Sequence, residues 1–173
     1  QIVTLKNETI TEQTETYSYS ATEATIFPED ALAYGSRIVK GTSIQPKKTS
    51  MYSSQEGAYQ KDDQAAWQPQ ATTEPVFASL TVYPYHTFVQ LAEIFTEKGT
   101  VTELEEKFEV TFSGIDAAVS QEVGLLLGKF PIAHTSYDVE IIVDKETKRM
   151  DSISVSMEVE PADGNRTTTE EIT

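Results

Sequence analysis

The chain has 173 residues and contains no cysteine, which excludes disulfides, thiolate catalysis and cysteine-based zinc sites. Hydrophobic residues make up 38% of the sequence and charged residues 24%, which is typical of one globular domain, here expected to span residues 1–173. The formal net charge of −15 argues against binding to nucleic acid and against electrostatic docking on an anionic membrane, since both need clustered Lys and Arg.

The first half of the chain has the composition of strands separated by turns. Within residues 1–26, the run TYSYSATEATI alternates loosely and changes parity after Ala21, which predicts one strand with a bulge or two short strands. Residues 31–41 are compatible with a short helix or with a strand interrupted at Gly35, and the strand is the interpretation adopted. The segment 44–68 predicts a hairpin, because two strand-like runs flank a turn that contains glycine. Residues 69–75 are rich in Pro, Thr and Gln and predict a loop.

The second half predicts two amphipathic helices. The first covers residues 85–98, and Gly99 is expected to end it. Its apolar side contains Phe88, Leu91 and Phe95. The second helix is expected to run from Asp116, a candidate N-cap, to Phe130, where Pro131 would stop it. Its apolar stripe consists of Val119, Val123, Leu126, Leu127 and Phe130.

Strands with a clear period of two surround these helices. Residues 107–114 alternate between apolar and polar side chains, and residues 139–159 form two alternating runs joined by the polar turn DKETK. The apolar members of these two runs are Val139, Ile141, Val143, Ile153, Val155, Met157 and Val159. Because strands and helices do not alternate at βαβ spacing, we predict the α+β class with an antiparallel sheet.

Catalytic signatures are missing from the sequence. The two histidines, His86 and His134, are accompanied by no Gly-x-Ser-x-Gly elbow. Adjacent carboxylates such as Asp62 and Asp63 are expected on solvated faces in a chain with 28 acidic residues. The run DGNRTTTEE reproduces only fragments of a calcium loop. We therefore predict no enzyme, no cofactor and no metal site, and a hydrolase is the weakest of the hypotheses.

Three aromatic residues of the first half allow two interpretations. Tyr52, Tyr59 and Trp67 could form a platform on which a ligand stacks. More often, such side chains fill the core where a hairpin folds onto a sheet. An apolar helical stripe likewise belongs more often to a core than to a ligand cavity.

The order of these segments resembles that of the small Gram-positive cell-surface lipoproteins of the LolA/LppX/LprG-like superfamily. The segment MYSSQEGAYQKDDQAAWQ is followed by a helical region, a strand with the pattern F-x-V-x-F-x-G, a second helix and VEIIVDKETK. The best matches are Tyr59, Trp67, Phe108, Val110, Gly114 and residues 139–148. The resemblance covers residues 15–173.

This resemblance implies a strongly curved antiparallel sheet, a half-barrel, with two helices packed over its concave face. Members of the superfamily bind acyl chains between sheet and helices and carry no catalytic residues. They are tethered to the membrane by a lipidated cysteine that follows a signal peptide, and because this chain begins at Gln1 we expect that an upstream segment has been removed. Family members usually open with a helix, whereas residues 1–20 look extended here.

The function expected from this resemblance is a non-enzymatic extracellular domain that binds a lipid or another apolar ligand between sheet and helices. It would be anchored to the outer face of the cytoplasmic membrane. The residues expected to line the cavity are Phe88, Leu91, Phe95, Val119, Val123, Leu126, Leu127, Phe130, Val155 and Met157. The alternative is a cell-surface module for protein–protein interaction or a structural role, with a packed interior and a protein partner.

Overall fold

The computed structural model describes residues 3–13, 16–81, 83–128, 135–159 and 166–172. The chain divides into two compact units, residues 1–82 and residues 83–173. Both consist of antiparallel strands with helices, which confirms the α+β class and the antiparallel pairing. The expectation of one domain over residues 1–173 stays a prediction.

The first unit is a six-stranded antiparallel meander in which each strand pairs with the next in sequence. Its strands are β1 (Val3–Gln13), β2 (Thr16–Phe27), β3 (Leu32–Gly41), β4 (Ile44–Ser54), β5 (Gly57–Asp62) and β6 (Gln68–Gln70). A 3₁₀ turn, Pro28–Asp30, precedes β3, and helix α1 (Glu74–Leu80) follows β6. Pairing in β1 and β2 runs without a register shift from Val3↔Ile26 to Gln13↔Thr16, so the bulge or break predicted within residues 16–26 is wrong, and these residues belong to one continuous strand.

The core of the first unit lies between its sheet and helix α1. Small and medium side chains at alternate strand positions point to one face, and α1 covers them with Val76 and Leu80. The strand residues of this core are Ala24, Ile26, Ala33, Met51 and Ala58.

The loop predicted for residues 69–75 is wrong at both ends, because its first residues belong to β6 and its last residues to the first turn of α1. A helix of seven residues is too short to produce a recognisable period.

The second unit contains a five-stranded antiparallel sheet in the order β11-β10-β9-β8-β7 and two helices. The elements are α2 (Tyr85–Lys98), β7 (Thr100–Glu103), β8 (Lys107–Ile115), α3 (Ala117–Leu126), β9 (Thr135–Asp144), β10 (Met150–Val159) and β11 (Arg166–Ile172). The first predicted helix, its end at Gly99 and the hairpin over residues 139–159 are confirmed. Strand β7 was not predicted, because TVTE is short and follows the helix directly.

Helix α3 begins where the sequence predicted and ends earlier. The Asp116 carboxylate accepts hydrogen bonds from the backbone N–H groups of Ala118 at 2.8 Å and Val119 at 3.0 Å, so it caps the helix. The helix ends at Leu126, and Gly128 has φ +67°, a left-handed conformation that glycine adopts without steric cost. The predicted end at Phe130 and the stop at Pro131 are therefore wrong; both residues lie outside the described part of the chain.

The sheet of the second unit has one apolar face and one polar face. Along most of β9 and β10, every second residue is buried, and the serines and carboxylates between them are more exposed to solvent. Helix α2 packs against β8 and against α3. The sheets are neither closed nor strongly curled, so the half-barrel that the resemblance implies is not shown.

Removing the cap of α3 tests whether this helix depends on Asp116. We expect Asp116→Ala to lower the free energy of unfolding by about 1 kcal/mol, because two backbone N–H groups lose their acceptor. Urea unfolding followed by circular dichroism measures this loss. The matched control is Glu122→Ala on the exposed side of the same helix, expected to change stability by less than about 0.5 kcal/mol. Equal effects of the two substitutions would contradict the capping role.

The close approach of strands β2 and β3 at Gly35 gives a second prediction. A Cβ atom at this position would collide with the backbone oxygen of Glu23 and lie 2.8 Å from the Cα of Ala24. We expect Gly35→Ala to destabilise the chain by about 1–3 kcal/mol, since backbone atoms must shift. Ser36→Ala, one residue further along the strand, is the control. A Gly35→Ala variant as stable as this control would show that the strands can move apart at no cost.

Candidate ligand-binding layer of the second unit

Most residues predicted to line a ligand cavity meet in one apolar layer between α2, α3 and the sheet of the second unit. Seven of the ten have less than 5% of their surface exposed: Phe88, Leu91, Phe95, Val119, Val123, Val155 and Met157. Leu126 and Leu127 are half-buried at the end of α3, and Phe130 lies outside the described residues. We call the seven buried residues, together with Phe112 and Tyr137, which contact Phe95, the apolar layer.

Three aromatic rings connect the helix side of the apolar layer to the sheet side. The ring of Phe95 on α2 lies 5.5 Å from that of Phe112 on β8 and 5.8 Å from that of Tyr137 on β9. The two strand rings are 6.3 Å apart, and Tyr137 pairs with Met157 on the next strand. Such contacts contribute about 0.5–1.5 kcal/mol per pair beyond burial alone. These rings fill the space between α2 and the sheet where they meet.

A small polar group lies within this apolar surrounding. Tyr137, Thr135 and Ser120 have 5%, 4% and 2% of their surfaces exposed. Burial raises the pKa of Tyr137 above its ordinary value, and the nearby hydroxyls of Ser120 and Thr135 act in the opposite direction. Although Ser120 lies near Tyr137, its Oγ makes no well-formed hydrogen bond within the described residues. Its hydrogen bond with the Tyr137 hydroxyl, which lowers the pKa of Tyr137, falls short of good geometry, so the Ser120 hydroxyl is only weakly satisfied.

The sequence analysis missed both Ser120 and Tyr137 as site residues. A signal for each was present: Ser120 lies three residues before Val123 in the apolar stripe of α3, and Tyr137 has the same strand parity as Val139. A single polar residue in an apolar stripe is easily overlooked when only hydrophobic side chains are counted.

Outside this layer, the first unit exposes three tyrosines that pair across neighbouring strands. Tyr34 on β3 pairs with Tyr52 on β4, and Tyr52 pairs with Tyr59 on β5. Their exposed fractions are 46%, 37% and 42%, and Trp67 is 46% exposed. The interpretation that Tyr52, Tyr59 and Trp67 fill a core is therefore wrong. Their parity is opposite to that of the buried Met51, Ser53 and Ala58.

His86 and Asp62 are the candidate catalytic residues that the structure describes, and no catalytic partner is observed beside either of them in the described ranges. His86 is exposed in the first turn of α2, and His134 lies outside the described residues. Asp62 is 2.8 Å from the Lys47 ammonium and accepts a 2.7 Å hydrogen bond from Thr49; the lysine and the threonine hold the pKa of Asp62 below its usual range. In the ranges that the structure describes, no three His, Asp or Glu residues are grouped as metal binding requires.

A scan against protein-family models finds no match to this chain, and a search of curated proteins finds none either. The likeness to the LolA/LppX/LprG-like superfamily therefore stays a prediction. Among the described residues, no helix has both the length and the apolar character needed to cross a membrane.

Burial of Tyr137 predicts a loss of stability at high pH. Because the pKa of Tyr137 is raised by burial above its ordinary value of 10.0, the unfolded chain releases this proton at a lower pH than the folded chain. The stabilisation that the protonated Tyr137 gives to the folded chain is complete below about pH 10 and declines as the pH rises further. We expect Tyr137→Phe to reduce the fall in melting temperature between pH 9 and pH 11. Tyr59→Phe is the exposed control, and an equal reduction in that variant would contradict the assignment.

Proposed function

We propose that this chain is a non-enzymatic binding domain whose second unit takes up a lipid or another apolar molecule in the apolar layer. The observation that supports the proposal is the buried Ser120 hydroxyl, which is only weakly bonded to Tyr137 and lies beside an extended apolar surface. A ligand with an apolar chain and one polar group would match both features. Each buried methylene contributes about 0.8 kcal/mol, so an acyl chain could offset the cost of association without any reactive group.

The half-barrel is the finer part of this proposal. In it, the sheet of the second unit curves around the ligand, and α2 and α3 cover the concave face. Its support is the division of this sheet into an apolar face and a polar face, with α2 packed on β8. Since the rings of Phe95, Phe112 and Tyr137 occupy part of the layer, we expect α2 or these rings to shift when a ligand enters.

The location proposed with this function is extracellular, on the outer face of the cytoplasmic membrane, with a lipidated cysteine outside the present sequence as the anchor. This proposal rests on the resemblance to surface lipoproteins alone.

A module with a packed interior, which acts by contacting a protein partner, is the second candidate. The close contacts among Phe95, Phe112 and Tyr137 favour it, because side chains already fill the space that they enclose. The two candidates predict opposite results for ligand uptake.

Replacing Ser120 distinguishes these candidates. If its hydroxyl contacts the polar group of a bound ligand, Ser120→Ala weakens binding of a fluorescent long-chain fatty acid by about tenfold, which corresponds to one hydrogen bond of about 1.4 kcal/mol. The same substitution is expected to change the melting temperature little, because the hydroxyl that it removes is only weakly bonded to Tyr137 in the free protein. Ser113→Ala, on the exposed face of β8, is the matched control.

A series of saturated fatty acids adds a test of the apolar contact itself. We expect each added methylene to tighten binding about fourfold until the layer is filled, because about 0.8 kcal/mol is gained per buried methylene. Native mass spectrometry of the gently purified protein should show a co-purified lipid. The proposal fails if no lipid co-purifies and the wild-type chain binds none of these fatty acids, and the packed module is then the better account.

A further inference from the structure

The exposed tyrosines of the first unit form a continuous row on the face opposite to the core. The row is defined as Tyr34, Tyr52 and Tyr59, which occupy directly opposed positions on β3, β4 and β5. The rings of Tyr52 and Tyr59 have centroids 6.4 Å apart. The register continues to Thr25 on β2 at one end and to Pro69 on β6 at the other. We call this set of three residues the tyrosine row.

Polar residues border the tyrosine row on one side, whereas Phe27 and Leu32 border it on the other, with the Phe27 ring 6.3 Å from the Tyr34 ring. The next register position with the same parity contains Glu23 on β2, Ser36 on β3, Ser50 on β4 and Lys61 on β5. The Lys61 ammonium lies 5.1 Å from the centre of the Trp67 ring, which places this tryptophan on the same face. The face therefore offers flat rings next to hydroxyl groups, with one cation and one anion among them.

The dimensions of the row select a narrow partner. Neighbouring strands lie about 4.8 Å apart, so the row measures about 19 Å across the strands from β2 to β6. Along a strand, residues on the same face are about 7 Å apart, which is the width of the row. The resulting strip covers on the order of 130 Å², whereas a stable protein interface needs about 800 Å² from each partner. A linear polymer one unit wide fits such a strip better than a folded protein or a second copy of this chain.

The charge of the first unit disfavours nucleic acid as this polymer. Residues 1–82 contain ten acidic and six basic residues, a formal charge of −4. Affinity for nucleic acid comes mainly from several Lys or Arg side chains on phosphates, and Lys61 is the only cation in the register position next to the row. A membrane surface is disfavoured by the polar residues on one side of the row and by the negative charge of the first unit, which does not attract anionic lipids.

We infer that the tyrosine row binds an unbranched polysaccharide of β-linked pyranose units. The C–H groups on the faces of such sugars are apolar and pack against exposed aromatic rings, while their ring-edge hydroxyls can exchange hydrogen bonds with Ser36, Ser50 and the tyrosine hydroxyls. Repeated sugars along the chain match repeated rings across the strands. This site lies in the first unit and is independent of the apolar ligand proposed for the second.

Affinity gel electrophoresis in a soluble β-1,4-glucan, combined with pull-down on chitin and on purified peptidoglycan, tests the inference. We expect at least one of these polysaccharides to bind the wild-type chain, and Tyr52→Ala to weaken that binding at least tenfold. Tyr34→Ala and Tyr59→Ala should act in the same direction. Tyr17→Ala is the matched control, because Tyr17 is 36% exposed on β2 but lies outside the row.

Two further measurements separate loss of binding from loss of folding. Tyr52→Phe keeps the ring and should retain most of the affinity, so a large loss in Tyr52→Ala beside a small one in Tyr52→Phe assigns the effect to the ring face. Trp67 is the only tryptophan in the chain, so saturable change in its emission should accompany binding. The inference is overturned if none of the three polysaccharides binds, if Tyr17→Ala weakens binding as much as Tyr52→Ala, or if only an oligothymidylate or anionic vesicles bind.

Discussion

Side chains along a β-strand point alternately to its two faces, and in both units this alternation decides which residues meet water and which are buried. In the second unit it brings Tyr137, Val139 and Ile141 to one face of β9, while Asp138 and Glu140 lie on the other. A shift of one residue in any strand pairing would exchange these two sets and expose the core. The positions of α2, the apolar layer and the tyrosine row all depend on this register.

The same alternation sets the limit of what the sequence could predict. It was clearest over residues 139–159, where apolar and polar side chains alternate almost without exception, and that hairpin is confirmed. It was weaker over residues 16–26, where alanine and threonine occupy both faces, and the structure shows one continuous strand there instead of the predicted bulge or break. The end of α3 was misplaced because the apolar stripe continues past Gly128, although a left-handed glycine there already ends the helix.

The candidate site was predictable in its apolar part and not in its polar part. Burial of Phe88, Leu91 and Phe95 follows from helical spacing. The contact between the Ser120 hydroxyl and Tyr137 does not, because it depends on how α3 faces the start of β9, two elements separated by residues 127–134. Exposure of the tyrosine row was likewise unpredictable from residue type, since tyrosine is common both in cores and on binding surfaces. Only the register with buried Met51 and Ala58 decides between these two environments.

Chemical shift mapping with methyl-labelled protein tests the central claim, the binding of an apolar ligand between α2, α3 and the sheet of the second unit, most directly. During titration with a long-chain fatty acid, the methyl resonances of Leu91, Val123 and Val155 should shift together and saturate at one equivalent. The methyl resonances of Val76 and Leu80 in the first unit should not shift. Methyl resonances of the apolar layer that remain unchanged at a saturating concentration of ligand would contradict the account.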